Sequence, residues 1–315
     1  MRALVTGADG FVGRHLLEAL ARTGYDAVLG AGGPQGAGDF FPIDLGDGDT
    51  LRAALDVAKP DIVFHLAAQA SVHDAQTDPQ TTYDVNIMGT ARLMRAIRSY
   101  RDDGHAAPRV VLSSSADVYG ARDRGDYPLT ELLELRPANP YASSKVAAEA
   151  ILLGEARTFD LDVVVARSFN HIGPGQDARF AVASFALQLA RIADGAPPIL
   201  LVGNLDAERD FLDVRDVVEA YIALAARGRR AEIYNVCSES AVSLKRVLGE
   251  LIGIAHVPVE VRDDEEQMRP ADTPLLIGSN AKIVSVTGWK PKIPLSRSLH
   301  DIYEDAKARM AKERV

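Results

Sequence analysis

The first thirteen residues fix most of what this chain can become. Ala3-Leu4-Val5 is a short buried-type strand, and Thr6-Gly7-Ala8-Asp9-Gly10-Phe11-Val12-Gly13 follows it without a break. Helical spacing then runs from about residue 11 to 23, where Gly24 ends it. Gly7 permits the tight turn, Gly10 lets backbone approach a pyrophosphate, and Gly13 lets the helix pack close on the strand. The free N–H groups of Phe11, Val12 and Gly13 and the positive end of the helix dipole suit phosphates. The three-residue spacing of the glycines differs from the commonest Gly-x-Gly-x-x-Gly, but the strand-turn-helix context is the required one.

A strand-turn-helix unit of this kind calls for repeats of itself. Strands are expected at 25–29, 40–43, 61–65, 109–112 and 162–167, with helices at 50–58 and 83–101 and a further one starting at Asn139. This alternation predicts an α/β fold with a parallel, doubly wound sheet and right-handed crossovers. After residue 167 the pattern changes. Residues 168–176 read as a loop rich in breakers. Helices at 180–193, 214–226, 244–254 and 295–310 and strands at 199–202, 233–237 and 259–262 complete a smaller mixed region. The division is therefore residues 1–167, with 212–237 returning to it, and 168–315.

The chain has 315 residues, enough for one large or two modest cores. Its net charge of −9 argues against nucleic acid or an anionic membrane as main partner. The single cysteine, Cys237, excludes an internal disulfide framework and reads as a buried small residue. The start runs straight into a strand with no signal peptide, and no apolar run approaches the ~18 residues of a membrane span. The expected compartment is the cytoplasm. His65 reads as a packed histidine, since no second ligand recurs at metal spacing; no metal is expected.

The chemistry-bearing stretch lies between residues 113 and 145. The fifth strand delivers Ser113-Ser114-Ser115 to the sheet edge. Asn139 is a good N-cap and Pro140 a good first helical residue, so Tyr141 and Lys145 fall four apart on one helix face. An ammonium beside a phenol favours its anion, which makes a tyrosine usable as acid or base near neutrality. Ser115 supplies a hydroxyl to a substrate oxygen. The charge pattern leaves NAD against NADP open: Gly30 to Gly38 holds no Arg, Lys or acid.

Taken together, these residues resemble the extended short-chain dehydrogenase/reductases. The matching parts are the glycine turn, Asp44-Leu45, His65-Leu66-Ala67-Ala68, Asn86, Ser115 with Tyr119-Gly120, Tyr141-x-x-x-Lys145, Arg167-x-x-Asn170 and Gly288-Trp289. The resemblance covers nearly the whole chain in order. It implies a Rossmann-type sheet with a smaller nucleotide-sugar domain, and a nicotinamide cofactor, NADP or NAD with NADPH favoured. Gly7, Gly10, Phe11, Val12, Gly13, Asp44, Leu45, Leu66, Ala67, Ala68, Tyr141 and Lys145 would hold that cofactor. It also implies a homodimer through the Tyr83 and Tyr141 helices.

Three segments look like the GDP-mannose branch of that family: 168–176, which contains Asn-His-Ile-Gly-Pro-Gly-Gln, 203–211, and Thr287-Gly288-Trp289-Lys290-Pro291. With 268–274 they most resemble the branch's reductases. This implies hydride transfer to the C4 ketone of a GDP-4-keto-6-deoxy-mannose. Tyr141 would donate the proton, Lys145 would lower its pKa and bind the nicotinamide ribose, and Ser115 would polarise the carbonyl. Ser114, Asn170, Arg179, Phe180, Asn204, Arg209 and Arg269 would meet the GDP-sugar, with Arg209 and Arg269 on its diphosphate. For Arg209 a salt bridge to Asp210 or Asp213 is the competing expectation. Rivals are a 4,6-dehydratase, which usually carries a glutamate where this chain has Asp117 and an acid or Ser where it has Ala116, and a 4-epimerase.

Overall fold

The computed structural model describes residues 1–33, 40–264 and 273–313. Strands β1 (Arg2–Thr6), β2 (Ala27–Gly32), β3 (Phe41–Pro42), β4 (Ile62–His65), β5 (Arg109–Ser115) and β6 (Val163–Ser168) are all parallel. Between them run α1 (Phe11–Arg22), α2 (Gly48–Ala58), α3 (Val72–Thr77), α4 (Pro79–Tyr83), α5 (Gly89–Asp102) and α6 (Pro140–Phe159). Every residue of β4 and of β6 is buried, as a sheet covered on both faces requires.

After β6 the chain leaves the sheet. It forms β7 (Asn170–Ile172), α7 (Ala181–Ala193), β8 (Ile199–Val202), β9 (Glu208–Asp213) and α8 (Val214–Arg227), then returns as β10 (Glu232–Val236) beside β6. The seven-stranded order is β10-β6-β5-β4-β1-β2-β3. Winding reverses between β1 and β4, so the crevice beyond their carboxyl ends is the natural ligand site. The tail adds β11 (Ala241–Ser243), α9 (Leu244–Ala255), β12 (Glu260–Asp263), β13 (Leu275–Leu276), α10 (Ala281–Thr287) and α11 (Leu295–Glu313).

One core lies under α2, α5 and α6, a second under α1, α8 and Trp289, and a third joins α7, α9 and α11. Three buried aspartates sew the smaller region together. Asp210 accepts from the Ser238 and Glu239 N–H groups and the Ser238 hydroxyl. Asp213 caps α8, pairs with Arg215 and accepts from the Ser298 hydroxyl. Asp216 accepts from the N–H groups of Lys292 and Ile293. Each carboxylate is thus multiply hydrogen-bonded, the condition under which a buried charge is tolerated.

Two sequence expectations need correcting. The segment 168–176 is not wholly a loop: residues 170–172 form β7, which pairs with β9, Asn170 opposite Phe211. Glycine, proline and polar residues hid these short strands. The helix expected at 83–101 starts earlier, at Pro79, and carries a π turn at Asp84–Met88. Asn86 sits in that turn, and its side chain is drawn out of the helix to partners elsewhere, the usual setting of a π-bulge at a functional site.

Candidate active site

The register of the sheet puts Thr6 opposite His65, His65 opposite Leu112, and Ser115 opposite Ser168, so four strand ends share one edge. At β1 the glycine turn has no space for side chains. A Cβ on Gly7, whose φ is +71°, would lie 2.7 Å from the Ala67 nitrogen; one on Gly13 would lie 2.1 Å from the Gly7 carbonyl oxygen. The backbone of Leu66 and Ala67 is held by Thr6: the Leu66 N–H donates to its carbonyl and the Ala67 N–H to its hydroxyl. Gly10 caps α1 without any side-chain bond, so the amides of that first turn keep their donors. This tight cradle with free helix amides fits a dinucleotide pyrophosphate. Asp44 and Leu45 follow β3; Asp44 is exposed and accepts the Gly46 N–H, and Leu45 is buried.

His65 is a packed histidine. Its Nδ1 bonds the Thr6 hydroxyl at 2.8 Å and its Nε2 the Thr90 hydroxyl at 3.3 Å. Burial, reinforced by the charge of Lys145, pushes its pKa down to about 3.

Asn139 caps α6 through the Ala142 N–H, and Pro140 occupies the first turn, as the sequence predicts. Tyr141 and Lys145 share a face, with the Lys145 ammonium 5.8 Å from the Tyr141 ring centre. Lys145 donates to the Ser113 carbonyl at 3.0 Å. Burial lowers its pKa to about 8, against the opposing pull of the Glu149 carboxylate. The Ser115 hydroxyl is hydrogen-bonded to the Tyr141 phenol and also accepts the Asp117 N–H. The expected depression of the Tyr141 pKa by Lys145 is not what the structure gives. Burial and then the Asp117 carboxylate push it up, and the Ser115 bond offsets only part of that. Tyr141 keeps some solvent exposure, but its phenol lies deep enough for desolvation to dominate.

Ser114 is buried and donates to Glu149 at 2.5 Å, on the opposite face of β5 from Ser113 and Ser115. Ser113 instead meets Tyr221 of α8, which also bonds Ser168.

The other expected substrate residues spread along one rim. Asn170 opens β7 with its side-chain Oδ1 buried and without a partner. Phe180 is exposed at the start of α7, and Arg179 beside it pairs with Asp177 and, across the rim, with Asp74 of α3. Asn204 is exposed and closes a turn onto Asp206. Arg209 on β9 donates to the carbonyls of Glu208 and Thr273; Asp210 and Asp213 are engaged by the groups described above. Arg269 lies outside the described residues.

The string Asn-His-Ile-Gly-Pro-Gly-Gln docks on the glycine turn itself. His171 stacks on Phe11 with ring centres 6.1 Å apart, and His15 bonds the Pro174 carbonyl at 2.8 Å. Sequence reasoning missed this contact, and it missed Gln69. The Gln69 main chain is gripped at both ends by the Asn86 amide, which also donates to Ser144, one residue before Lys145. Both side-chain atoms of Gln69 are buried without partners, a signal readable only in three dimensions.

The family described as GDP-mannose 4,6 dehydratase matches residues 4–302. The chain belongs to this family. A GDP-6-deoxy-D-mannose reductase of Pseudomonas aeruginosa is 39% identical over 99% of each chain. A GDP-mannose 4,6 dehydratase of Arabidopsis thaliana is 32% identical over 79% of this chain and 69% of its own. The solved structure of RMD from Pseudomonas aeruginosa, complexed with NADPH, superposes with a TM-score of 0.87 at 38% identity, covering 98% of this chain and all of that one. The fold, with its parallel seven-stranded sheet, is that of the extended short-chain dehydrogenase/reductases.

Proposed function

We propose that the protein reduces the C4 ketone of GDP-4-keto-6-deoxy-D-mannose to GDP-D-rhamnose, with NAD(P)H as hydride source. The observation that carries this reading is the full-length likeness to a GDP-6-deoxy-D-mannose reductase. Burial and Asp117 keep the Tyr141 phenol protonated beside the Ser115 hydroxyl. A phenol that keeps its proton suits the donor that ketone reduction needs. Ala116 supports the reading too: it stands where a dehydratase carries an acid or Ser, and it is buried in an apolar cluster with Tyr119 and Phe169.

When bound, the nicotinamide supplies the hydride. Gly7, Gly10 and Gly13 with the amides of Phe11 and Val12 would hold its pyrophosphate, and Asp44, Leu45, Leu66, Ala67 and Ala68 would flank it. Ser115 and Tyr141 converge on one point, where the ketone oxygen would accept both hydrogen bonds. Charge growing on that oxygen strengthens both bonds, and the Tyr141 proton completes the alcohol. Lys145 spends one of its three donors on the Ser113 carbonyl and offers the others to the cofactor ribose. Asn170, Arg179, Phe180, Asn204 and Arg209 would receive the GDP-sugar along the rim, and Arg269 is a further expected contact.

A homodimer would form through α5 and α6. The outward positions of α6, Ala147, Ala150, Ile151 and Gly154, are small or apolar and partly or fully exposed, which suits close helix packing.

The test is incubation with GDP-4-keto-6-deoxy-D-mannose and NADPH or NADH. Loss of nicotinamide absorbance with appearance of a GDP-6-deoxyhexose is the expected result. Absence of both would refute the reductase reading. A 4-keto-6-deoxy product from GDP-mannose without added hydride would make the protein a dehydratase instead.

A further inference from the structure

Behind the Tyr141 and Lys145 face, one helical turn farther along α6, lies a polar cluster closed off from water. Glu149 and Arg167 are each 2% exposed. Arg167 on β6 grips the Glu149 carboxylate with a fork, Nη2 at 2.7 Å and Nε at 3.0 and 3.2 Å from its two oxygens. The Ser114 hydroxyl donates to the same carboxylate from β5. Arg167 also donates to the Tyr119 hydroxyl at 3.0 Å, and Tyr119 donates to Asn235 on β10 at 2.7 Å. Three neighbouring strands and the turn after β5 therefore fix one carboxylate on the helix that carries Tyr141 and Lys145.

Stability alone does not account for such a cluster, because a buried ion pair seldom outperforms well-packed apolar residues. Its position suggests what it does. Glu149 is four residues from Lys145, on the same helix face. The groups facing this stretch are Tyr141 on α6, His65 on β4, Asp117 and Tyr119 after β5, Arg167 on β6 and Tyr221 on α8. From the segment 72–88 the side chain reaching α6 is the uncharged Asn86, and Arg98 of α5 pairs with Glu155 well past the cluster. His65 is neutral at working pH, and Arg167 spends its charge on Glu149. Glu149 is thus the acid of α6 one helical turn from Lys145, while Glu155 lies farther along and pairs with Arg98.

We propose that Glu149 is a positioning residue for the reaction: braced by Arg167 and Ser114, it keeps Lys145 in its ammonium form through the working pH range. Without it, burial would neutralise the lysine that orients the cofactor ribose. Burial already draws the Lys145 pKa down to about 8, and the Glu149 carboxylate is what opposes further loss. The inference rests on the proposed reductase reading only for its kinetic consequence; the charge on Lys145 is measurable without turnover.

The experiment is NMR titration of protein carrying 13C at the lysine ε carbons, with the Lys145 signal assigned by its loss in Lys145→Arg. In Glu149→Gln, which keeps the shape and acceptor oxygen but not the charge, the Lys145 midpoint falls by about one pH unit or more, a tenfold gain in acidity. Glu149→Asp, which retains the charge, leaves the midpoint within a few tenths of the parent. Where Glu149→Gln does not fold, Glu149→Gln with Arg167→Met removes the pair together, a replacement buried pairs tolerate, and the midpoint falls again. The alkaline limb of kcat moves down with the midpoint. An unmoved midpoint in the charge-free variants, or an equal fall in Glu149→Asp, overturns the proposal. A parent enzyme without turnover whose midpoint still shifts in Glu149→Gln instead overturns only the reductase reading.

Discussion

A phenol that is to protonate a growing alkoxide has to keep its proton until the hydride arrives. Around Tyr141 this is arranged by burial and by Asp117, with Ser115 supplying the opposing hydrogen bond. Tyr141→Phe removes the proton and leaves the packing. Its kcat is expected to fall by about 10²–10⁴, with cofactor affinity unchanged in a fluorescence titration; near-parent turnover would reassign the donor. Tyr141, Lys145 and Ser115 were legible because helix spacing and a strand end dictate where they meet. The partner of Ser114 was not legible, for a physical reason. Three consecutive serines carry no apolar alternation, so nothing in the sequence says which of them turns toward Glu149. The electrostatics of Tyr141 were misread because helix spacing reveals Lys145 but not the depth of burial or the Asp117 charge across the turn.

At the scale of elements, the glycine turn is the most demanding piece. A methyl group on Gly13 would collide with the Gly7 carbonyl and the Ala8 backbone, neither of which can yield without moving α1 off β1. Gly13→Ala is expected to weaken NADPH binding at least about tenfold and to cost about 1–3 kcal/mol in urea unfolding. Gly249→Ala in α9, where an added Cβ meets nothing within 4 Å, is the control and gains about 0.5–1 kcal/mol. Parent-like affinity in Gly13→Ala would show that the close helix–strand approach is dispensable. The turn was plain in the sequence because only glycine meets its steric demands. The π turn at Asp84–Met88 was invisible, since its cause is an Asn86 side chain captured by Gln69 and Ser144, residues distant in sequence.

The whole molecule carries a pH signature. His65 has a pKa of about 3 when folded, against 6.5 as its ordinary value. Between those values the unfolded chain binds a proton that the folded protein refuses, so stability falls as pH drops below 6.5. This group alone is expected to cost about 2 kcal/mol on going from pH 7.5 to pH 5, read as a lower urea midpoint. His65→Gln should flatten that slope; an equally steep slope would place the acid sensitivity elsewhere. For the proposed dimer, sedimentation velocity should give twice the chain's 33.8 kDa, and a monomer at micromolar concentration would contradict it. The sheet was legible as a whole from its alternation of strand and helix. The smaller region was less so, because its strands are two to six residues long and separated by stretches with glycine and proline.

The return of β10 to the sheet has a consequence for how the protein is made. Residues 163–165 of β6, all valines and fully buried in the finished protein, gain their outer neighbour only when residues 232–236 exist. A ribosome that has released the first two hundred residues has released a sheet with one raw, apolar border, and about 13 seconds of synthesis at the slow end of typical rates separates the strand from its mate. The segment 169–231 is thus bracketed by two neighbouring strands of one sheet. A mutation in residues 169–231 that slows their folding would be felt first as aggregation of the nascent sheet, before any effect on chemistry.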